Sequence, residues 1–438
     1  MKSISTLIVC LFCLLSCAEV PQKTTNESML EKPAKITLTN TNGKFQLFVD
    51  GKPFYIKGAG LEFGKIASVA KHGGNSFRTW RTGNGQQSGK EVLDEAQKNG
   101  LMVTMGIEVG RERHGFDYND SIAVKEQFER IKKEVLALKD HPALMIWAIG
   151  NELNLRATNP KVWDAVNDIS KMIHEVDTNH LTTTTLAGIS QREIDLIKER
   201  CSDLDLLSVQ MYGKINELPK MIKDFGWKGA YIITEWGATG HWEVPKTEWG
   251  APIEENSTLK ASNYLKRYKT AIEADSLQCI GSYVFLWGQK QERTPTWYGV
   301  FLEDGKKTES VDVMQYLWSG TWPENRTPQV ESFVLNNKTA YENIILKANK
   351  EYLTSLKIQD FENDTLNYHW EILKESTDLK DGGDFENRPN AVKFKIISTH
   401  GGELKFNAPT EKGAYRLFGY VDDGQPHAAT ANIPFKVI

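Results

Sequence analysis

The chain has 438 residues and a net charge of -4, enough length for one large barrel-sized domain and a smaller second one. That charge gives no electrostatic reason to bind nucleic acid, so partners are expected to be neutral or small. Cys10 and Cys13 fall in the leader and Cys17 directly follows it; Cys201 and Cys279 precede predicted strands with another strand between them, so no disulfide is expected. His114, His141, His174, His180 and His241 show no ligand spacing with cysteine or acidic residues, so no metal and no other cofactor is expected.

Lys2 supplies a positive charge ahead of an apolar run over 4–15, too short to span a bilayer, which reads as a secretion signal over 1–16. The run ends in Leu14-Leu-Ser-Cys17, which resembles a bacterial lipobox, where cleavage precedes a cysteine that is then lipidated. The resemblance implies lipidation of Cys17, a polar tether over 17–35, and a protein held at the cell envelope, on the outer membrane or cell surface, by its lipid alone. The plainer alternative is a chance cysteine in a hydrophobic leader. No other stretch is long and apolar enough to span a membrane.

A hairpin opens the folded part, with Phe45-Gln-Leu-Phe-Val49 and Phe54-Tyr-Ile-Lys57 joined across Asp50-Gly51. Its second arm is expected to run on to about Gly58 as the first barrel strand. Further apolar runs follow at 75–80, 101–106, 144–149, 182–187, 206–212, 230–235 and 280–287. Helical patterns alternate with them at 65–71, 91–98, 123–139, 160–176, 189–199, 217–224, 258–275 and 311–318. In one of these, Phe128, Ile131, Val135 and Leu138 recur at helical spacing, which makes one face for packing on a sheet. Eight alternating units within 36–319 predict an α/β fold, a TIM (β/α)8 barrel. An open doubly wound sheet is the alternative, but no Gly-rich phosphate fingerprint follows the first strand.

Residues 320–328 form a proline-punctuated linker. Short, turn-bounded, alternating runs follow at 330–335, 342–347, 353–359, 366–373, 391–397, 402–406, 415–422 and 429–437. They predict a small all-β immunoglobulin-like sandwich over 329–438. The stretch from Asp360 to Trp370 resembles a strand start of PKD-like and cadherin-like modules, where acidic residues sometimes hold calcium; a solvated turn is the preferred reading.

Two glutamates end apolar barrel strands, in Leu144-Met-Ile-Trp-Ala-Ile-Gly-Asn-Glu152 and Ala230-Tyr-Ile-Ile-Thr-Glu-Trp236. A carboxylate at the mouth of such a strand does not serve the core. Two facing one cavity suit cleavage of a glycosidic bond, with one acid to protonate the leaving oxygen and one carboxylate to attack the sugar carbon. Glu152 then needs a pKa raised by desolvation and by its partner's charge, while Glu235 stays ionised, with Arg78 and the Tyr212 hydroxyl placed to stabilise it. Asn151 would donate to the sugar 2-hydroxyl and Trp287 would form an apolar floor. Plainer readings stand beside these: Arg78 as a structural ion-pair partner, Tyr212 and Trp287 as core aromatics, Asn151 as a helix cap.

Rings at Trp80, Trp236, Trp242, Trp249, Trp297 and Tyr298 suggest a groove for a chain of sugars, with Trp242 and Trp297 favoured as subsites. Arg111, Glu112, Arg113 and His114 either bind sugar hydroxyls or form a solvated charge cluster.

Arg78, Asn151-Glu152, Tyr212, Glu235 and Trp287 resemble, strand end by strand end, clan A of the glycoside hydrolases. Its (β/α)8 barrels carry the acid/base after strand four and the nucleophile after strand seven. The resemblance implies retention through a covalent intermediate on Glu235, with carboxyl groups about 5 to 5.5 Å apart. Lys57-Gly-Ala-Gly60, Ser76-Phe-Arg-Thr-Trp80, Gly115-Phe-Asp-Tyr118, Asp140-His-Pro-Ala-Leu144 and Gly150-Asn-Glu152 look like bacterial members of glycoside hydrolase family 158. That family implies endo-acting hydrolysis of β-1,3-glucans such as laminarin. The barrel is also similar to the catalytic domain of glycoside hydrolase family 2. The residue chemistry itself leaves open a β-mannan or β-galactoside substrate, transglycosylation by the same glutamates, and a non-catalytic glycan-binding lipoprotein. No comparable acidic pair ends the strands after residue 329, so that domain is expected to be a spacer or brace whose removal leaves a folded barrel some activity.

Overall fold

The computed structural model describes residues 32–62 and 64–438. The expected signal over 1–16, the lipidation site Cys17 and the tether as far as residue 31 lie outside the described residues. Among the described residues no helix is long and apolar enough to cross a membrane.

Eight parallel strands form a closed barrel in chain order: β1 (Ile56–Gly60), β2 (Ser76–Arg78), β3 (Met102–Ile107), β4 (Leu144–Asn151), β5 (Leu181–Ala187), β6 (Leu207–Gln210), β7 (Tyr231–Trp236) and β8 (Cys279–Val284), which pairs back onto β1. Helices on the outside and packed side chains within bury β4 and β7 along their whole length, which is why both read as unbroken apolar runs. Local chemistry starts the covering helices where the sequence signals them. Ser88 and Glu91 make a reciprocal capping box at Gly89–Lys98, and Asp120 accepts from the N–H groups of Ile122 and Ala123 at Ser121–Leu138.

The N-terminal hairpin is part of a three-stranded sheet, Ile36–Thr41, Lys44–Val49 and Lys52–Phe54, and its last arm stops before β1 instead of continuing into it. This sheet closes the lower end of the barrel. Ile36 and Leu47 pack with Ile56, Met145, Leu206, Ile232 and Ile280, the layer of side chains that water would otherwise reach. Higher in the barrel the inward polar groups are paired: the Tyr283 hydroxyl lies 2.9 Å from Ser76 Oγ and 2.6 Å from Thr104 Oγ1, and Thr183 Oγ1 lies 2.8 Å from Ser208 Oγ. Cys201 and Cys279 are buried free thiols.

The C-terminal residues form a sandwich of two four-stranded sheets. One orders Gln329–Leu335, Glu351–Gln359, Glu403–Asn407 and Ile396–His400; the other orders Ile344–Leu346, Ala428–Val437, Gly413–Asp422 and Asn367–Lys374. Pairing is antiparallel except where Ile344–Leu346 runs parallel to Ala428–Val437. Leu335, Ile372, Leu404, Phe406, Leu417, Ile433 and Phe435 fill the core. The run expected at 391–397 becomes a strand only at Ile396–His400, a wholly exposed edge strand, while Ala391 makes a single bridge to Leu373.

The sandwich does not stand off from the barrel as a spacer. Buried Glu254, after β7, accepts from Lys260, Thr294 and Thr296 of the barrel and, at 2.6 Å, from Asn432 of the sandwich. Arg416 Nη2 donates to Pro252 O at 2.8 Å, and the N–H groups of Thr430 and Val330 donate to Ser257 Oγ and Thr258 Oγ1 at 2.9 and 2.8 Å.

Candidate active site

The end of β4 is shaped to present two consecutive side chains to one cleft, which a regular pleat does not do. Its pairing with β5 is irregular between Ala148 and Asn151, and Gly150 sits at φ +74° with its Cα so close to Leu153 that a Cβ would lie 2.5 Å from that side chain. Glu152 follows at φ +54°, a left-handed conformation that costs a non-glycine residue about 1 kcal/mol or more. Its N–H is fixed by Thr185 O at 2.9 Å. Asn151 and Glu152 therefore both line the cleft, together with Glu235 from β7.

Glu235 is surrounded by donors. Its Oε1 accepts from Trp80 Nε1 at 2.8 Å, Gln210 Nε2 at 3.0 Å and Arg78 Nη1 at 3.3 Å; its Oε2 accepts from the Tyr212 hydroxyl at 2.8 Å. Arg78 is 1% exposed and its guanidinium also lies 4.8 Å from the Trp80 ring centroid. Burial and the Glu235 charge push the Tyr212 phenol well above its usual range, so it remains a donor. Such a donor set leaves neither carboxylate oxygen of Glu235 without a hydrogen bond. The close approach of β2 to β3 that places Trp80 depends on Gly106, where a Cβ would fall 2.4 Å from the Trp80 backbone carbonyl carbon.

Glu152 has the opposite surroundings. Its Oε2 is closed off from solvent and has no hydrogen-bond partner among the described residues. Burial pushes its carboxyl up to about 7, and the charge of Glu235 adds to the shift, against the pull of Arg113 and Arg111. The two carboxyl groups thus sit in contrasting surroundings, one without a hydrogen-bond partner on Oε2 and one met by four side-chain donors.

Asn151 Oδ1 receives Gln210 Nε2 at 2.7 Å, Arg78 Nη2 at 2.8 Å and Thr185 Oγ1 at 3.2 Å. Among the described residues nothing accepts from its Nδ2, which is left to donate into the cleft. Asn151 is held by β strands on both sides and is not a helix cap. Gln210 was not among the residues singled out from the sequence, although it shares the inward face of β6 with Ser208 and leads to Tyr212.

The cleft has a volume of about 1140 Å³ and takes lining residues from the loops after all eight strands. Trp242 is 56% exposed on its wall and meets Tyr212 edge-to-face at 5.6 Å. Trp80 lines the cleft too, with its indole N–H committed to Glu235. Trp287 is 1% exposed and belongs to the cleft lining, with its ring packed on Trp318, Phe301 and His72; Phe285, also in the lining, stands edge-on to Trp80 and Tyr212. Trp297 is not a subsite. It is 2% exposed, and its Nε1 donates to Thr239 O at 2.9 Å, bracing the loop after β7. Trp236 is buried against Tyr264 and Tyr268 in the core, Trp249 lies away from the cleft lining, and Tyr298 contributes to that lining.

In the charged cluster after β3, only Arg111 lines the cleft, with its Nε donating to Asn151 O at 3.1 Å. Glu112 accepts from the N–H groups of Thr158 and Asn159, while Arg113 and His114 bind Asp384 of the sandwich at 2.7 and 2.9 Å. His114 is therefore an interdomain contact through Nε2 and stands outside the cleft lining, away from the sugar-binding position expected of it. The Asp381–Phe385 segment that these residues hold lines the cleft itself, a contribution that the sequence did not signal.

Residues 83–245, a stretch with both glutamates, match the family model described as "Glycosyl hydrolases family 2, TIM barrel domain". No curated protein matches the chain in sequence. Among solved structures, the Bacteroides uniformis beta-glucuronidase is 12% identical at TM-score 0.51, covering 92% of this chain and 48% of its own. The Bifidobacterium dentium beta-glucuronidase complexed with coumarin-3-O-glucuronide is 16% identical at TM-score 0.50, covering 65% of this chain and 49% of its own. The GH2 beta-galacturonidase from Eisenbergiella tayi bound to galacturonate is 16% identical at TM-score 0.50, covering 66% and 55%. At these identities the likeness is one of fold, and the chain spans about half the length of the structures it matches. Residues 83–245, from β3 to β7 of the barrel, are thus similar to the glycoside hydrolase family 2 barrel domain.

Proposed function

We propose that the protein is a retaining glycoside hydrolase that cleaves β-1,3-glucan chains internally, with Glu152 as acid/base and Glu235 as nucleophile. The observation that carries this reading is the contrast between the two carboxyl groups: Glu152 Oε2 is buried without a partner, whereas Glu235 is met by four side-chain donors. In the first step Glu152 gives its proton to the leaving glycosidic oxygen while Glu235 attacks the anomeric carbon. Its Oε2, with one donor against three on Oε1, keeps the freer lone pair for that attack. In the second step Glu152, now ionised, takes a proton from water, which displaces Glu235 and restores both groups. Asn151 Nδ2 holds the sugar 2-hydroxyl through both steps, a bond that strengthens as positive charge grows at the anomeric centre.

The choice of a neutral glucan rests on two supports. The family 158 likeness of the barrel motifs favours β-1,3-glucan, and several cations at the cleft are already neutralised: Arg81 by Glu62, Arg156 by Asp381 and Lys290 by Glu292. A uronic acid carboxylate would have to compete with these pairs. A lipid anchor at Cys17 would place the enzyme at the cell envelope, and Cys17→Ala is expected to release it from the membrane fraction. The test of function is incubation with laminarin, other linear β-glucans, mannan and galactan, followed by sizing of the products. New reducing ends and mid-length oligosaccharides from laminarin support the reading; lengthened products mark a transglycosylase; binding without cleavage marks a glycan-binding protein.

A further inference from the structure

We infer that the Asp381–Phe385 segment of the C-terminal sandwich is a sugar-binding subsite of the barrel cleft, with Phe385 as the ring on which a pyranose stacks. Phe385 is 78% exposed, yet it stands in the lining of the cleft and not on an outer face of the sandwich. The segment beneath it is held firmly. Arg113 donates to Asp381 O at 3.1 Å and to Asp384 Oδ2 at 2.7 Å, Lys290 Nζ donates to Gly383 O at 2.9 Å, and Arg156 pairs with Asp381. At its far end Glu386, buried, takes the Arg293 N–H at 2.6 Å and pairs with the Arg293 guanidinium. Gly382, at φ +60°, lies so close to the barrel that a Cβ would fall 2.7 Å from Arg113 Nη2 and 2.8 Å from Leu155 Cδ2.

These anchors follow β3, β4 and β8, and β4 and β8 stand opposite each other in a ring of eight. The segment therefore reaches over the mouth of the barrel from one side towards the other. Its acidic side chains are satisfied by basic partners from the barrel, so they are anchors and not a free charge patch. A large aromatic kept in water on a braced platform adds nothing to folding. Facing a cleft that holds two unequal carboxyl groups, it offers an apolar face to the C–H face of a sugar, as does Trp242 on the loop after β7. The sandwich thereby becomes part of the substrate site, and the protein recognises a length of chain that the barrel alone does not contact.

This inference rests on the glucan-hydrolase reading, and the test separates the two. Wild type and Phe385→Ala are compared on β-1,3-gluco-oligosaccharides of increasing length and on the smallest aryl β-glucoside that wild type cleaves. The expected result is a kcat/KM about tenfold lower for the long oligosaccharides, carried by KM, with the aryl glucoside unchanged and with Phe385→Trp retaining the wild-type profile. An unchanged length profile, or an equal loss on every substrate, overturns the subsite while leaving the hydrolase reading intact. Failure of wild type to cleave any β-1,3-glucan overturns both.

Discussion

Arg78 Nη2 lies 2.8 Å from Asn151 Oδ1, and because a guanidinium only donates, this contact fixes which way the asparagine amide faces. With Gln210 and Thr185 also donating to Oδ1, the free Nδ2 is the end offered to substrate. Asn151→Ala is accordingly expected to lower kcat about 10²- to 10³-fold with a small change in KM, since the lost bond strengthens only in the transition state. The same variant should discriminate little between a glycoside and its 2-deoxy analogue. Steady-state kinetics on the two substrates check this; a preserved preference for the 2-hydroxyl would assign that contact elsewhere.

The raised pKa of Glu152 sets the alkaline limb of activity. Burial and the Glu235 charge hold its proton up to about 7, so the acid form predominates below that pH and is lost as pH rises through it. The kcat/KM profile should fall above about 7, and Glu152→Gln should flatten this limb while retaining activity towards aryl glycosides whose leaving group needs no proton. Replacing Glu235 with Gln removes a raising charge and should move the Glu152 titration downward, readable by infrared or NMR titration of the carboxyl.

Trp80 acts through its indole N–H on Glu235 Oε1. Trp80→Phe keeps a ring in the cleft and removes that donor, a hydrogen bond to a charged acceptor worth about 1.5–3 kcal/mol. A fall of about tenfold or more in the rate of glycosyl-enzyme formation is expected, with little loss of affinity for product oligosaccharide. Pre-steady-state kinetics and a binding titration separate the two effects; equal losses in both would make Trp80 a sugar-stacking ring.

Leu47 belongs to the sheet that closes the barrel's lower end and has no exposed surface. Leu47→Ala should cost about 2–5 kcal/mol of stability through lost burial and the cavity left behind. Denaturant unfolding measures the loss, and kcat at a temperature where the variant is folded should be unchanged, because the site lies at the other end of the strands.

Much of this site was legible in the chain because it is built from strand ends. β4 and β7 are buried on every side, so each reads as an apolar run that ends on an acid. Gln210 escaped notice because amides inside a strand also serve as structural partners, and only its contact with Asn151 and Glu235 tells the two apart. Ile36–Thr41 was missed because four of its six residues are polar and most of the strand is exposed. Trp297 looked like a groove ring because position after a strand does not reveal which way a side chain turns. The cleft role of Asp381–Phe385 had no local signal at all: a Gly- and Asp-rich turn reads as a loop, and its partners Arg113 and His114 stand some 270 positions earlier.

The division of labour between Glu152 and Glu235 is tested most directly by azide rescue of the two alanine variants on an activated β-glucoside. With Glu152→Ala, azide should attack the intermediate on Glu235 and give the β-glycosyl azide; with Glu235→Ala it should take the nucleophile's place and give the α-glycosyl azide. The reverse pairing of variant and anomer, read by NMR, would contradict the assignment.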